Sequence, residues 1–181
     1  MTLYFALLRG INVSGHNMIK MTELKRMFEE MGFARVQTYI NSGNVLFESE
    51  EEGESLEARI EQEISSVFGL TISVMVRSES EWKTITATCP FSPETLIDKQ
   101  SIHLTLLKKA PTQEELDRLP DIELEGDEYL IDGREIYVLY RRSSLDSKLT
   151  KKFQKLVPAT SRNWKTVIKL AEMAKALETK E

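Results

Sequence analysis

Phe33-Ala34-Arg35-Val36-Gln37-Thr38-Tyr39-Ile40-Asn41-Ser42-Gly43-Asn44-Val45-Leu46-Phe47 is the stretch on which the fold turns. Phe33–Ile40 is rich in β-branched and aromatic residues, Asn41-Ser42-Gly43-Asn44 has the composition of a turn, and Val45 opens another strand. The stretch reads as a hairpin. Upstream, Leu3–Leu8 is a short apolar run before Gly10, the pattern of a buried strand. Between the two, Thr22 is expected to cap a helix whose Leu24, Met27, Phe28 and Met31 share one face, with Gly32 as its stop. Downstream, a glutamate-rich run leads into a helix carrying Leu56, Ile60, Ile64 and Val67, and Thr71–Val76 is expected to be a strand. The order over residues 1–77 is β-α-β-β-α-β, the split βαβ or ferredoxin-like unit.

The rest of the chain echoes this order. Residues 78–100 are expected to hold a helix with Trp82 and Ile85, capped by Ser78 or Ser80, and then an irregular linker after Cys89-Pro90. Within 101–181, Ile102–Leu107 reads as a strand. Thr112-Gln113-Glu114-Glu115 is a capping box, and Asp132-Gly133 joins two short strands as a hairpin. A basic helix with Leu149, Phe153 and Leu156 should end at Pro158. The last helix is expected from about Asn163 to Leu177, with Trp164, Val167, Ile168, Ala171 and Ala174 as its apolar stripe. The second half is therefore β-α-β-β-α-α, a related unit whose final strand is absent or replaced by a helix. The fold class is α+β in two related halves, although no clear sequence repeat marks a duplication.

Topology joins two polar loops. If the first strand runs up, the helix returns the chain, the second strand also runs up and the third runs down. The loop Arg9-Gly10-Ile11-Asn12-Val13-Ser14-Gly15-His16-Asn17 and the turn Asn41–Asn44 then share one edge, where α/β sheets tend to hold ligands. The groups on offer are binding groups. Gly10, Gly15 and Gly43 permit close backbone approach, and exposed amides can form an anion-holding nest. Arg9 is a fork for phosphate or carboxylate, and Asn12, Asn17, Asn41 and Asn44 donate and accept. Ser42 sits in the turn with no visible base. Lys20 precedes the first helix, whose N-terminus adds partial positive charge. His16 is the one candidate acid, base or ligand in the loop. A third cluster, Thr160-Ser161-Arg162-Asn163-Trp164, reads as a second anion site at the start of the last helix.

Composition bounds the function. Of 181 residues 41% are hydrophobic and 29% charged, which excludes a disordered chain. No apolar run reaches the roughly 20 residues of a membrane helix, and no signal-peptide pattern precedes the first strand. Cys89 is the single cysteine, so no internal disulfide forms and a reducing cytoplasm is expected. The second histidine, His103, falls inside a strand; without a paired histidine or a carboxylate cluster, the loops offer no metal site. The P-loop and dinucleotide spacings are absent, so no cofactor is indicated. Residues 1–140 carry 13 Lys and Arg against 25 Asp and Glu, a net −12, while residues 141–181 carry 11 against 4, a net +7. The glutamates of residues 48–63 and the basic residues of 141–169 are expected to be solvated helix faces, or the latter a lobe for a phosphate-bearing partner.

Specific stretches resemble a known family. Ala6-Leu7-Leu8-Arg9-Gly10-Ile11-Asn12-Val13, Met21, Thr38-Tyr39-Ile40-Asn41-Ser42-Gly43-Asn44-Val45 and Thr160-Ser161-Arg162-Asn163-Trp164 are similar to signature stretches of a bacterial family of uncharacterised proteins, domain of unknown function 1697. The family usually carries Gly-Gly where this chain has Ser14-Gly15, and often Thr-Thr-Arg-Asn-Trp where it has Thr160–Trp164. The resemblance implies a ferredoxin-like α+β fold and no established activity, so it brings no catalytic residues.

Three functions are weighed. The leading one is a cytoplasmic protein binding a small anionic ligand, such as a nucleotide, phosphate or carboxylate, at this edge, with any catalysis left open. The second is an RNA-binding module, because RNA-recognition domains share the element order and display aromatics where Tyr4, Phe5 and Phe47 stand. A pI of about 5.3 and the lack of the basic-Gly-aromatic motif argue against it. The third is a structural or oligomerising module, whose oligomeric state the sequence does not specify.

Overall fold

The computed structural model describes residues 1–156 and 158–180. Its elements are β1 (Thr2–Leu8), α1 (Met21–Glu30), β2 (Ala34–Tyr39), β3 (Asn44–Ser49), α2 (Gly53–Phe68), β4 (Val74–Ser78), α3 (Glu79–Ala87), a 3-10 turn at Pro93–Thr95, β5 (Ser101–Leu107), α4 (Gln113–Asp117), β6 (Glu128–Asp132), β7 (Glu135–Tyr140), α5 (Lys148–Phe153), β8 (Ala159–Asn163) and α6 (Trp164–Glu178). They form two antiparallel four-stranded sheets of order β2-β3-β1-β4 and β6-β7-β5-β8. Two compact units result. One comprises Met1–Thr84 with Leu170–Glu181, the other Ile85–Lys169. The cuts fall inside α3 and α6.

The sequence order βαββαβα occurs twice, and the registers match. In the first sheet Phe5 lies opposite Leu46 and Arg77; in the second, Leu104 lies opposite Tyr137 and Arg162. Leu8 donates its N–H to the Gly43 carbonyl at 2.9 Å, and Leu107 donates to Arg134 at 2.8 Å. Arg9 donates its N–H to Ser73, as Lys108 does to Pro158. The final strand that the sequence reading denied to the second half is therefore present as β8. Its residues alternate buried Thr160 and Arg162 with exposed Ser161 and Asn163, a strand periodicity written entirely in polar side chains.

In the first unit, Tyr4, Ala6, Leu8, Val45, Phe47, Val74 and Val76 face α1 and α2, where they pack with Leu24, Met27, Phe28, Leu56, Ile60 and Ile64. Phe5, on the other face of β1, stacks on Trp82 of α3 at 4.5 Å between ring centres. Thr22 does not cap α1. The helix starts two residues earlier than that cap implies, with Lys20 in the cap position and no side-chain cap hydrogen bond. Leu56, Ile60 and Ile64 are buried as expected, but Val67 is 51% exposed, and α2 also buries Glu57. The reason lies at the sheet edge. β4 is an outer strand, and its N–H groups at Val76 and Val74 donate to the carboxylates of Glu57 and Glu61, each at 2.9 Å. Two glutamates one turn apart thus close an edge that would otherwise present free donors. α3 begins with the expected cap: the Ser78 hydroxyl accepts the Glu81 N–H, and the Glu81 carboxylate accepts the Ser78 N–H.

The end of α6 belongs to the first unit. Arg35, in left-handed conformation at the β2 bulge, donates to the Leu177 carbonyl and pairs with Glu48 at 3.1 Å. Lys83 of α3 lies 3.1 Å from Glu79 and 2.9 Å from Glu178. The hydrogen bond with Glu178 holds the Glu79 carboxyl above the usual carboxylate range.

In the second unit, Leu107, Ile136, Val138, Tyr140, Leu149 and Phe153 form a core beneath α5. The capping box at Thr112 and the Asp132-Gly133 hairpin stand where expected. Trp164, Val167, Leu170, Ala174 and Leu177 are the buried stripe of α6; Ile168 is exposed. Among the described residues no helix is long and apolar enough to cross a membrane.

Candidate functional site

The two polar loops of the first unit do meet. Asn12 is the joint: its amide donates to the Asn41 carbonyl at 2.8 Å and to the Ile19 carbonyl at 3.0 Å, while its oxygen accepts the Ile19 N–H at 2.8 Å. One side chain thus ties the β1–α1 loop to the β2–β3 turn and closes the loop's own base. Between Asn12 and Asn17 the chain forms a small hairpin. Asn12 donates its N–H to Asn17, His16 donates its N–H to Val13, and Ser14 and Gly15 at the tip have φ 51° and 76°. Positive φ at both central residues marks a type I′ turn, which accounts for Gly15. Ser14 holds this conformation without being glycine. Asn17 donates its amide to the Gly10 carbonyl at 3.1 Å, which ties residue 17 to the start of the loop.

The β2–β3 turn is equally spent on architecture. Asn44 is fully buried; its amide donates to the Tyr39 carbonyl and to the Ser42 hydroxyl at 2.9 and 3.0 Å. Gly43 has φ 85°, and a Cβ there would stand 2.7 Å from Cδ1 of Ile11 and 3.0 Å from Cβ of Leu8. Asn12, Ser42, Gly43 and Asn44 therefore build the site, and their polar atoms bond to the protein. Sequence reasoning overlooked Ile11, 1% exposed, whose packing fixes how closely the loops approach. Its one signal was a lone apolar residue between polar ones.

What remains at the surface is Arg9, Gly10, His16, Asn17, Lys20 and the Asn41 side chain, all exposed. The Arg9 guanidinium makes no hydrogen bond or ion pair with any described residue. Among the described residues no group of three or more His, Cys, Asp and Glu gathers as a metal site.

Arg162 and Asn163 belong to the second unit, at the end of β8 where α6 begins. Arg162 is a buried strand residue that donates to the Thr160 hydroxyl at 2.7 Å and the Ser161 carbonyl at 2.9 Å; burial pulls its pKa down to about 10. Asn163 caps α6 by accepting the Lys165 N–H. Tyr4, Phe5 and Phe47 are 7%, 1% and 0% exposed, so the aromatics weighed for base stacking lie inside the core.

The family described as protein of unknown function (DUF1697) matches residues 1–137, which include both loops. The chain belongs to this family. The conserved bacterial protein SP0830 from Streptococcus pneumoniae has a similar structure, with a TM-score of 0.75 over 95% of this chain and 98% of that one. The two are 23% identical, so the likeness is one of fold. No curated protein matches the chain.

His103 carries a separate prediction. It is half-buried in β5 with its ring edge-on to Tyr140, and burial lowers its pKa from the usual 6.5. The unfolded chain binds a proton at His103 more readily than the folded one, so stability is full above pH 6.5 and falls as pH drops below it. Urea midpoints at about pH 7.5 and about pH 5.5 should differ less in His103→Gln than in the parent. An equal difference in both would remove His103 as a cause.

Proposed function

We propose that the edge built from residues 9–20 and 40–44 binds a small anionic ligand, with Arg9 as its charged contact. The observation that carries this reading is the state of Arg9. It is an exposed guanidinium with no partner among the described residues, set on a loop that the side-chain amides of Asn12 and Asn17 hold in shape. A fork on a preorganised loop spends little conformational entropy on binding. Lys20 and the N-terminus of α1 add positive charge on the same loop, and the cap residue makes no side-chain hydrogen bond to that helix end. We place this binding in a reducing cytoplasm; burial pushes the half-buried Cys89 thiol up, which keeps it unreactive.

The test is an amide NMR titration with inorganic phosphate, acetate and a nucleoside monophosphate. At least one should shift amides of residues 9–17 and 41–44. Arg9→Ala should weaken that binding about tenfold or more, since a hydrogen bond to a charged group is worth ~1.5–3 kcal/mol. Its melting midpoint should stay that of the parent, because the side chain touches nothing that folding needs. Shifts confined to other regions, or undiminished affinity in Arg9→Ala, would sink the placement. Asn44→Ala is not a clean probe, because its amide is a buried brace of the turn.

A further inference from the structure

The second unit serves as an internal control for the first. Both sheets send their first strand into a helix at matched register, with matched backbone bonds at Leu8 and Leu107. In the second unit residues 108–112 make this connection; in the first it takes residues 9–20. The fold therefore closes with five residues, and the hairpin at Asn12–Asn17 is additional chain that folding does not require. Long connections of this kind on a rigid sheet carry function.

The added segment has a distinct surface. From Arg9 to Thr22 it contains Arg9, His16 and Lys20 and no Asp or Glu, in a unit that carries 10 Lys and Arg against 16 Asp and Glu, a net −6. It also exposes apolar side chains. Val13 is 58% exposed and Met18 64%, while Ile40, next to the Asn41 that Asn12 grips, is 48% exposed. Three of the ten large hydrophobic residues exposed among those described thus fall on these two adjoining loops.

We infer that the ligand of this edge is an anion joined to an apolar body, with its charge on Arg9 and its body against Met18, Val13 and Ile40. This rests on the anion-binding reading above and adds the ligand's class. Complementarity supplies the argument: cation beside exposed apolar surface fits a molecule carrying both features. The acidic surroundings repel extended polyanions, and so favour a small ligand over a nucleic acid.

The experiment compares matched probes on the full chain: phenyl phosphate against inorganic phosphate, and hexanoate against acetate, with affinities from the amide shifts of residues 9–20. In at least one pair the apolar member should bind about tenfold more tightly or better. In a Val13→Ser/Met18→Ser variant that ratio should collapse toward one; both side chains are exposed, so the variant should fold. Equal binding within both pairs, or a ratio that survives the double substitution, overturns this inference and leaves anion binding at Arg9 standing. Binding by none of the four probes removes the anion-binding reading and this inference with it.

Discussion

Ending the chain at Lys169 is expected to unfold the first unit. The residues removed include Leu170 and Leu177, 0% and 5% exposed, and Ala174, 3% exposed. Burial of the two leucines alone accounts for ~3–6 kcal/mol, an upper figure for a partly collapsed unfolded state. The same cut takes away the Leu177 carbonyl held by Arg35 and the Glu178 carboxylate held by Lys83. A loss of this size approaches the whole stability of an ordinary domain, about 5–15 kcal/mol. The full chain and the 1–169 chain should therefore differ in thermal midpoint by at least about 10 °C. A midpoint within about 3 °C of the parent would mean that the end of α6 adds little. The milder Leu177→Ala should fall between the two, since it keeps the backbone contact with Arg35 and leaves only a cavity.

This dependence was hard to read from sequence, and the reason is physical. The stripe of α6 follows helical spacing, so the helix was visible, but periodicity does not say which body an apolar face will meet. Strands β1, β2 and β3 were legible because apolar runs end at glycine-bearing turns. β8 was not, because Ala159-Thr160-Ser161-Arg162-Asn163 buries a hydroxyl and a guanidinium instead of aliphatic side chains. Its strand character comes from pairing with β5, a tertiary effect that outweighs composition. Glu57 shows the same limit from the other side. A glutamate in an acidic run reads as solvated, and only the unpaired N–H of Val76 on an outer strand draws it inside.

The candidate site was legible in place and misread in part. Topology alone put residues 9–17 beside residues 41–44, because antiparallel pairing of β1 with β3 leaves no other arrangement. What each asparagine does could not follow from its identity, since an amide serves backbone and ligand equally well. Geometry divides them: Asn12 and Asn44 bond inward, Asn17 closes the base of the small hairpin, and the side chain of Asn41 stays exposed. The two related halves follow from element order, but no sequence repeat marks them, for a related reason. The two units share register and backbone bonds, but the equivalent of Gly43 is Arg134, so the repeat lies in geometry that the side chains no longer record.

Gly43 is where the largest single-residue effect at this edge is expected. Gly43→Ala meets two costs. With φ 85° the residue sits in the left-handed region, where a Cβ costs roughly 1–2 kcal/mol. The new methyl would also stand 2.7 Å from Cδ1 of Ile11 and 3.0 Å from Cβ of Leu8. Ile11 is 1% exposed and Leu8 0%, and Leu8 is fixed by its strand, so neither neighbour can simply swing into solvent. Overpacking of this kind costs about 1–3 kcal/mol, for a total of about 2–5 kcal/mol by urea denaturation. Because Leu8 donates its N–H to the Gly43 carbonyl, relief by moving the turn away from β1 would break that bond and pull Asn41 from Asn12. Gly43→Ala should therefore also lose ligand binding at Arg9 under conditions where the variant is still folded. Ile11→Val separates the two costs. It removes Cδ1, so the double variant Gly43→Ala/Ile11→Val should recover part of the packing loss and keep the backbone cost. A Gly43→Ala loss no larger than the backbone cost alone, about 1–2 kcal/mol, would refute the close approach of the two loops.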